Sequence, residues 1–437
     1  MMGKERLHRT IRVVLQATGI LRLVYRITTP HIRARVARQI GVSSYTAPLI
    51  KEKPYSGRVR TDGVNYVADL RADLGVGESA RAIYAAIQAA NMPVNYQEVA
   101  FPLVSRSHPV NASATNELYG ITLAHLNPSE LRLGVEKCRK AFEACYAIGY
   151  WLWEVPRFPA RWHPHMNALD EIWTSSRYTR DILAQVSPIP VHYIPIPIIV
   201  QPATRTRRDF NLPEDRFIFF FAFNPSSSVA RKNPYGVIDA YQRAFSGMPN
   251  PPLLVIKAHH LAAAEHRAIA NSLRKAVQDV GGILIEDNLT RAEMHSLTSL
   301  VDCVISMHRA EGFGLLMAEA MALGKPVIAT GYSGNMDFMT PENSFPIRYT
   351  LREITAQDHA DQPTLGDLYT SGQLWAEPDI DHAIELMRLV FESPDEARSH
   401  AHLARSEMHQ NWSPEVIGTH ITARLHILGV ETANRPL

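Results

Sequence analysis

The chain has 437 residues, 46% of them hydrophobic and 20% charged, the make-up of a folded protein too long for one ordinary core, so two domains are expected. The net charge of +2 excludes bulk affinity for nucleic acid. Three scattered cysteines, Cys138, Cys145 and Cys303, show no metal or redox spacing and fit buried thiols in a reducing cytoplasm, and no apolar run approaches the roughly eighteen residues needed to span a bilayer.

Residues 1–57 read as an arm and linker. Up to residue 40 they hold Lys4 and the arginines 6, 9, 12, 22, 26, 33, 35 and 38 against one acid, Glu5. Leu7, Ile11, Val14, Leu15, Leu21, Leu23, Val24 and Ile27 are interleaved with them, and Arg12, Arg22 and Arg26 break the apolar stretch, so no secretory signal is expected. Such a basic amphipathic segment suits an anionic membrane surface, and equally a solvated basic helix or a disordered arm. Residues 1–40 lack the aromatic interleaving that base stacking needs. Pro48 and Pro54 mark the linker.

Residues 58–200 alternate strand and helix signals. Val64–Leu70 is a strand, Gly75 and Gly77 fall in a loop, Glu78–Ala90 is a helix with Ala80, Ile83, Ala86 and Ile87 facing in, and Val94–Val99 is the next strand. The glycines serve either close approach to a ligand or a tight turn. Arg81 reaches either a phosphate or a surface salt bridge. ITLAHLNPSE and CYAIGYWLWEVPRFP read as buried strands running into polar loops. Because parallel α/β sheets bind ligands at the carboxyl ends of their strands, His125, Asn127, Trp153 and Glu154 are expected at a cleft. Trp153 with Glu154 offers an aromatic face beside a carboxylate, or Trp151 and Trp153 are strand packing. Ser175 or Ser176 caps a helix in EIWTSSRYTRDIL, and the proline-rich VHYIPIPI ends the domain.

Residues 201–410 repeat the pattern. Phe217–Phe221 is a strand buried on both faces, followed by a loop with Arg231 and Lys232 and a helix holding Pro234 in its first turn. Two cations before a helix N-terminus suit a diphosphate, or are a solvated loop. Lys257 ends the strand LLVIK and points to the same cleft. Ile283–Glu286 is a strand, Asp287–Thr290 its exit loop with Leu289, and Thr290 with Glu293 forms a capping box for a helix over Arg291–Leu300. Asp302–Met307 is the strand that delivers His308, Arg309 and Glu311. Residues 411–437 supply a closing helix over 413–428.

The stretch HRAEGFGLLMAEAMALGKPVIATGYSG, His308–Gly334, packs a glycine loop, an apolar helix and a buried strand together. A helix beginning near Phe313 places Glu319 about two turns beyond Glu311 and on roughly the same side. Gly312-Phe313-Gly314 leaves backbone amides uncovered at the helix N-terminus, an anion site. A carboxylate beside an anion site suits a phosphate that carries hydroxyls, because carboxylates accept hydrogen bonds from a diol. A nucleotide-sugar has that make-up. As bare structure the stretch is a β–α–β unit, which leaves a Glu inside so apolar a helix unexplained. Gly331–Asn335 then reads as a flexible loop able to meet sugar hydroxyls.

This stretch resembles the donor-binding motif of retaining GT-B glycosyltransferases of the family 4 type (glycosyl transferases group 1), with Glu311, seven residues, then Glu319, Gly-Phe-Gly after the first Glu and Pro-Val-Ile-Ala after the helix. The bacterial polysaccharide and lipopolysaccharide enzymes are the most similar subgroup, and the likeness covers about residues 60–430. It implies an α/β chain of GT-B architecture, with two facing Rossmann-like domains, a cleft between them and a C-terminal helix crossing back to the first domain. It also implies a retaining transfer of a hexose, with mannose from GDP-mannose as the favoured donor, to a lipid-linked or surface-glycan acceptor. No further cofactor is implied. No DxD-like motif is positioned for Mg²⁺, in keeping with a metal-independent enzyme. The carried-over roles are catalytic for Glu311, Arg231 and Lys232. They are donor-binding for Glu319, Gly312, Phe313, Gly314, Lys257, Leu289, Thr290, Gly75 and Gly77, and acceptor-side for Trp153, Glu154 and Asn127. Lys232 matches the family's lysine. The arginine about six residues earlier falls near Ser226, so Arg231 or Lys257 supplies the missing charge. A histidine common in relatives is replaced here by the Trp-Leu-Trp-Glu run. The expected setting is cytoplasmic, at the inner membrane face if residues 1–40 dock there. The rival readings are a non-catalytic GT-B partner subunit and a nucleotide-sugar epimerase or hydrolase. A Rossmann dehydrogenase is disfavoured by the missing GxGxxG.

Overall fold

The structure, a computed structural model, describes residues 60–430 apart from 102–103, 113–117, 144, 262–265, 361, 363–364 and 366–367. The basic arm expected over residues 1–40 lies outside the described residues.

Two six-stranded parallel sheets carry the chain. In the first, β1 (Val64–Ala68), β2 (Val94–Glu98), β3 (Ile121–Ala124), β4 (Tyr146–Tyr150), β5 (Glu171–Thr174) and β6 (Val191–Tyr193) lie in the order β2-β1-β3-β4-β5-β6. In the second, β7 (Ile218–Phe223), β8 (Leu253–Ala258), β9 (Ile283–Ile285), β10 (Cys303–Ser306), β11 (Val327–Thr330) and β12 (Phe345–Ile347) lie in the order β12-β11-β10-β7-β8-β9. Both sheets are covered on two faces, which is why IFFFAF and VIAT are continuous apolar runs instead of alternating ones. This is the expected GT-B architecture of two Rossmann-like domains. A short antiparallel pair, β13 (Tyr349–Glu353) and β14 (Leu374–Pro378), is an addition that the sequence reading did not anticipate.

Each sheet changes strand order once, between β1 and β3 and between β7 and β10. Loops leaving two adjacent parallel strands in opposite directions open a crevice at such a point, and ligands bind there. In the second sheet those loops are Asn224–Lys232 and Met307–Gly314, so the topology alone brings Arg231, Lys232 and Glu311 together.

Helix α1 (Gly75–Ala89) starts three residues before the expected position. Gly75 and Gly77 are therefore in its first turn and not in a loop. A side chain at Gly77 would put Cβ 2.3 Å from the Ala72 carbonyl oxygen, so this glycine lets the helix sit directly on the preceding loop. Helix α2 (Arg177–Ala184) is capped by Ser176 as read from sequence. Arg231 and Lys232 end a single turn, α3 (Val229–Lys232), instead of lying in an open loop, and α4 (Pro234–Phe245) follows with Pro234 at its first position. Helix α5 (Arg291–Leu300) carries the expected capping box, and α6 (Leu315–Ala322) begins two residues later than Phe313, after Gly314 at φ 102°. The last helix, α7 (Pro414–Ile427), crosses back to the first domain. Gly418 meets the α1 backbone so closely that a Cβ would stand 2.6 Å from the Ala86 oxygen, and Arg424 pairs with the fully buried Glu171 carboxylate of β5. Among the described residues, no helix is long and apolar enough to cross a membrane.

Candidate active site

Glu311 follows β10 by five residues and is locked at its backbone. Its amide donates to Ser333 Oγ at 2.8 Å, and its carbonyl accepts from the Gly334 amide at 2.9 Å. The expected flexible loop after β11 is thus a tight turn clamped on the glycine loop. A Cβ at Gly334 would stand 2.2 Å from the Gly312 oxygen and 2.8 Å from the Phe313 nitrogen, so only glycine permits this closure. His308 is fully buried beneath it, with Nε2 3.0 Å from Asn335 Oδ1. Arg309 turns away and grips Glu377 with two hydrogen bonds of 2.8 and 2.7 Å.

The Glu311 carboxylate bonds Lys232 Nζ and lies 3.3 Å from Arg231. Burial alone would push its pKa up. Lys232 and then Arg231 outweigh that and hold it at about 2, so Glu311 is an anion at any working pH. Burial lowers the Lys232 ammonium, and Glu311 pulls it back in part.

Arg231 is 3% exposed, and both of its terminal nitrogens hydrogen-bond the protein. One terminal nitrogen donates to the Ala310 oxygen at 2.7 Å, and the other to the Ser227 oxygen and Oγ at 3.0 and 2.6 Å. Its Nε faces Glu154 at 3.4 Å across the domain boundary. Arg231 therefore contributes charge to the crevice rather than a free hydrogen-bonding fork. Glu154 in turn accepts a hydrogen bond from the Tyr369 hydroxyl.

Trp153 is 3% exposed, which departs from the expected sugar platform. Phe158 and Trp162 meet its ring edge-on, Tyr369 stacks over it, and Nε1 donates to the Arg157 oxygen at 3.1 Å. The Trp-x-Trp pattern reports core packing, and the acid beside it supplies the cross-domain ion pair. Asn127 likewise fixes backbone, its Oδ1 accepting from the Leu152 amide at 2.9 Å. His125 is buried between Tyr66 and Ser79. Arg81 donates to the Leu70 and Ala72 carbonyls and pairs with Glu78 at 2.6 Å, the salt-bridge option.

Beyond Glu311, the amides of Leu315, Leu316 and Met317 open α6 without helical carbonyls to receive them. Glu319 lies one turn inside, 7% exposed, and has partners the sequence reading left unnamed. Arg291 bonds Oε1, and His295 Nε2 stands 3.7 Å from Oε2. Burial would raise its pKa, but Arg291 outweighs this and lowers it. Arg291 also reaches Glu78 of α1 at 3.4 Å, a second ion pair between the domains. Arg291 and His295 are four apart on α5, hence on one face, and that spacing was the signal available.

Lys257 is the penultimate residue of β8, 3% exposed, with Nζ donating to His259 Nδ1 at 3.0 Å. Burial lowers its pKa to about 8, against a partial pull from Asp287. Thr290 is used as the cap of α5, and Leu289 packs partly buried against the core. Among the described residues, no group of three or more His, Cys, Asp or Glu is placed to hold a metal ion.

Residues 204–347, which hold Arg231, Lys232, Lys257, Arg291, His295, Glu311 and Glu319, match the family model described as Glycosyl transferases group 1. No curated protein matches the chain. Solved structures share the fold at low identity. Sucrose-phosphate synthase from Thermosynechococcus elongatus aligns with a TM-score of 0.60 at 14% identity, over 84% of this chain and 99% of that one. A glycosyltransferase from Rickettsia africae aligns at 0.59 and 14%, over 85% and 100%. Anabaena HepE, solved in complex with UDP and glucose, aligns at 0.57 and 13%, over 84% and 99%.

Proposed function

We propose that this protein is a retaining glycosyltransferase of the family 4 type, moving a hexose from a nucleoside diphosphate sugar to a glycan or lipid-linked glycan without a metal. The single observation that carries this reading is the arrangement at the second switch point. There an anionic Glu311, the part-buried Lys232 and buried Lys257, the open N-terminus of α6 and the buried Glu319 come from four separate elements within the segment that matches the family.

In the reaction the bond between the sugar's anomeric carbon and the β-phosphate oxygen breaks. An acceptor hydroxyl oxygen bonds to that carbon from the same face, and its proton passes to the leaving phosphate. Lys232, Lys257 and the amides of Leu315, Leu316 and Met317 stabilise the charge that builds on the diphosphate, and Arg231 adds its field from behind. Glu311 accepts hydrogen bonds from a donor hexose hydroxyl and fixes the ring. Glu319 accepts from the ribose diol. Leu289 and Thr290 border the base, while the first turn of α1 at Gly75 and Gly77 faces the donor from the other domain. Glu154 and Asn127 mark the acceptor side, with Trp153 as buried support.

GDP-mannose is the donor we carry forward, and a surface glycan or lipid-linked glycan is the acceptor, met at the cytoplasmic membrane face through residues 1–40. Anabaena HepE, solved with UDP-glucose, adds that donor to those worth testing. The test is thermal melting against UDP, GDP, ADP and their sugars, with Glu319→Ala in parallel. A ligand that binds only the folded state raises the melting temperature by mass action. A rise with one nucleotide that is lost in the variant supports the reading and names the base. No rise with any of them in folded protein favours a non-catalytic partner subunit.

A further inference from the structure

Glu319 does not stand alone in its helix. Its Oε1 bonds Arg291, whose Nε is 3.4 Å from Glu78 of the first domain. Its Oε2 faces His295 Nε2 at 3.7 Å. The histidine ring is fixed from behind, because the Gln201 amide donates to its Nδ1 at 3.0 Å. A ring nitrogen that accepts a hydrogen bond carries no proton, so in the neutral ring the proton is on Nε2, aimed at Glu319. His295 is 1% exposed, and Nε2 has no hydrogen-bond partner among the described residues. A buried donor left short of an anion by under an ångström is a contact that a small shift of the carboxylate completes. Gln201 belongs to the segment joining the domains, which α5 grips again where the Thr204 amide donates to Ser296 Oγ at 2.9 Å.

We propose that Arg291 and His295 are positioning residues for the Glu319 carboxylate, orienting it to recognise the ribose hydroxyls of a nucleoside diphosphate. This rests on the reading of Glu319 as the ribose site. A free carboxylate in an apolar helix rotates and accepts from any donor. One held by a guanidinium on one oxygen, and faced on the other by a ring whose tautomer is set by the interdomain segment, has its remaining lone pairs restricted in direction. A diol is then discriminated from a single hydroxyl. The Arg291–Glu78 pair adds that this orientation is completed by the first domain.

The experiment compares each nucleoside diphosphate with its 2′-deoxy counterpart by titration calorimetry, using whichever of UDP, GDP and ADP binds the wild type. A hydrogen bond to a charged group predicts a loss of about tenfold or more for the deoxy ligand. In Arg291→Met and His295→Asn the ratio falls towards one, while affinity for the deoxy ligand changes less than about threefold. Arg291→Lys, which keeps the charge but not the fork, gives an intermediate ratio and serves if the Met variant does not fold. A wild-type ratio retained in Arg291→Lys and His295→Asn overturns the inference. A ratio near one in the wild type, a wild-type ratio in Glu319→Ala, or no binding by any nucleotide overturns the ribose reading itself, and the inference falls with it.

Discussion

The Glu154 carboxylate of the first domain lies 3.4 Å from the Arg231 guanidinium of the second, and both are buried or nearly so. Arg231 thereby stands between two acids, since Glu311 approaches it at 3.3 Å from the other side. The excess of negative partners suits a cation whose terminal nitrogens are already hydrogen-bonded within the protein. It leaves Lys232 as the nearby cation free to turn a hydrogen atom towards a phosphate.

Tyr369→Phe removes the hydroxyl that bonds Glu154 and leaves the ring over Trp153. Loss of a hydrogen bond to a charged, largely buried group costs about 1.5–3 kcal/mol. The expected result is a lower denaturant midpoint with an unchanged slope. An unchanged midpoint removes the case for Tyr369 as a brace between the domains.

Glu311→Gln keeps the shape and an acceptor for Lys232 but loses the charge we propose fixes a sugar hydroxyl. The turnover rate is expected to fall about 100-fold, the scale of a misplaced reacting group, while affinity for the bare nucleoside diphosphate stays within about threefold. Rate measurements with donor sugar, paired with calorimetry on the diphosphate, separate the two. Equal losses in both would move Glu311 from ring positioning to general support of the site.

Much of this site was legible in the sequence because it is local. Thr290 and Glu293 are three apart, and their capping box formed as read. Glu311, Gly312 and Glu319 lie on one β–α unit, so their spacing already fixed most of their relation. The partners that act across the fold were not legible. Tyr369 meets Glu154 over 215 residues of chain, and Arg291 meets Glu78 over a similar span, with no periodicity to announce either. Trp153 shows the other limit. A strand that runs into a loop with Trp-Leu-Trp gives the same pattern whether the second ring faces a ligand or a neighbouring Tyr, and only the packing of Tyr369 decides.

Gly334→Ala tests the clamp on the glycine loop. The added Cβ would lie 2.2 Å from the Gly312 oxygen, with only backbone nearby to move. The turn must open, displacing the Glu311 carbonyl and the α6 entrance together. Donor affinity is expected to fall more than tenfold at a modest loss of melting temperature, read by calorimetry and thermal denaturation. Retained affinity would show that the amides of α6 hold their places without this turn.

Lys257 gives the pH signature. Burial lowers its ammonium to about 8, from 10.5 in the unfolded chain. A cation with a lowered folded pKa costs stability fully below about pH 8, and the cost fades by the unfolded value. At pH 7 it amounts to about 3 kcal/mol by linkage. Lys257→Met is therefore expected to raise stability at pH 7 and to lose that advantage towards pH 10.5, while weakening diphosphate binding. If the ammonium is the form that binds, affinity is level below pH 8 and drops up to tenfold per pH unit above it. Lys232 is also lowered by burial, so Lys257→Arg separates the two, because a guanidinium stays charged and should flatten the profile near pH 8. A wild-type profile that is flat to pH 9.5, or identical in the Arg variant, would take Lys257 out of the diphosphate site.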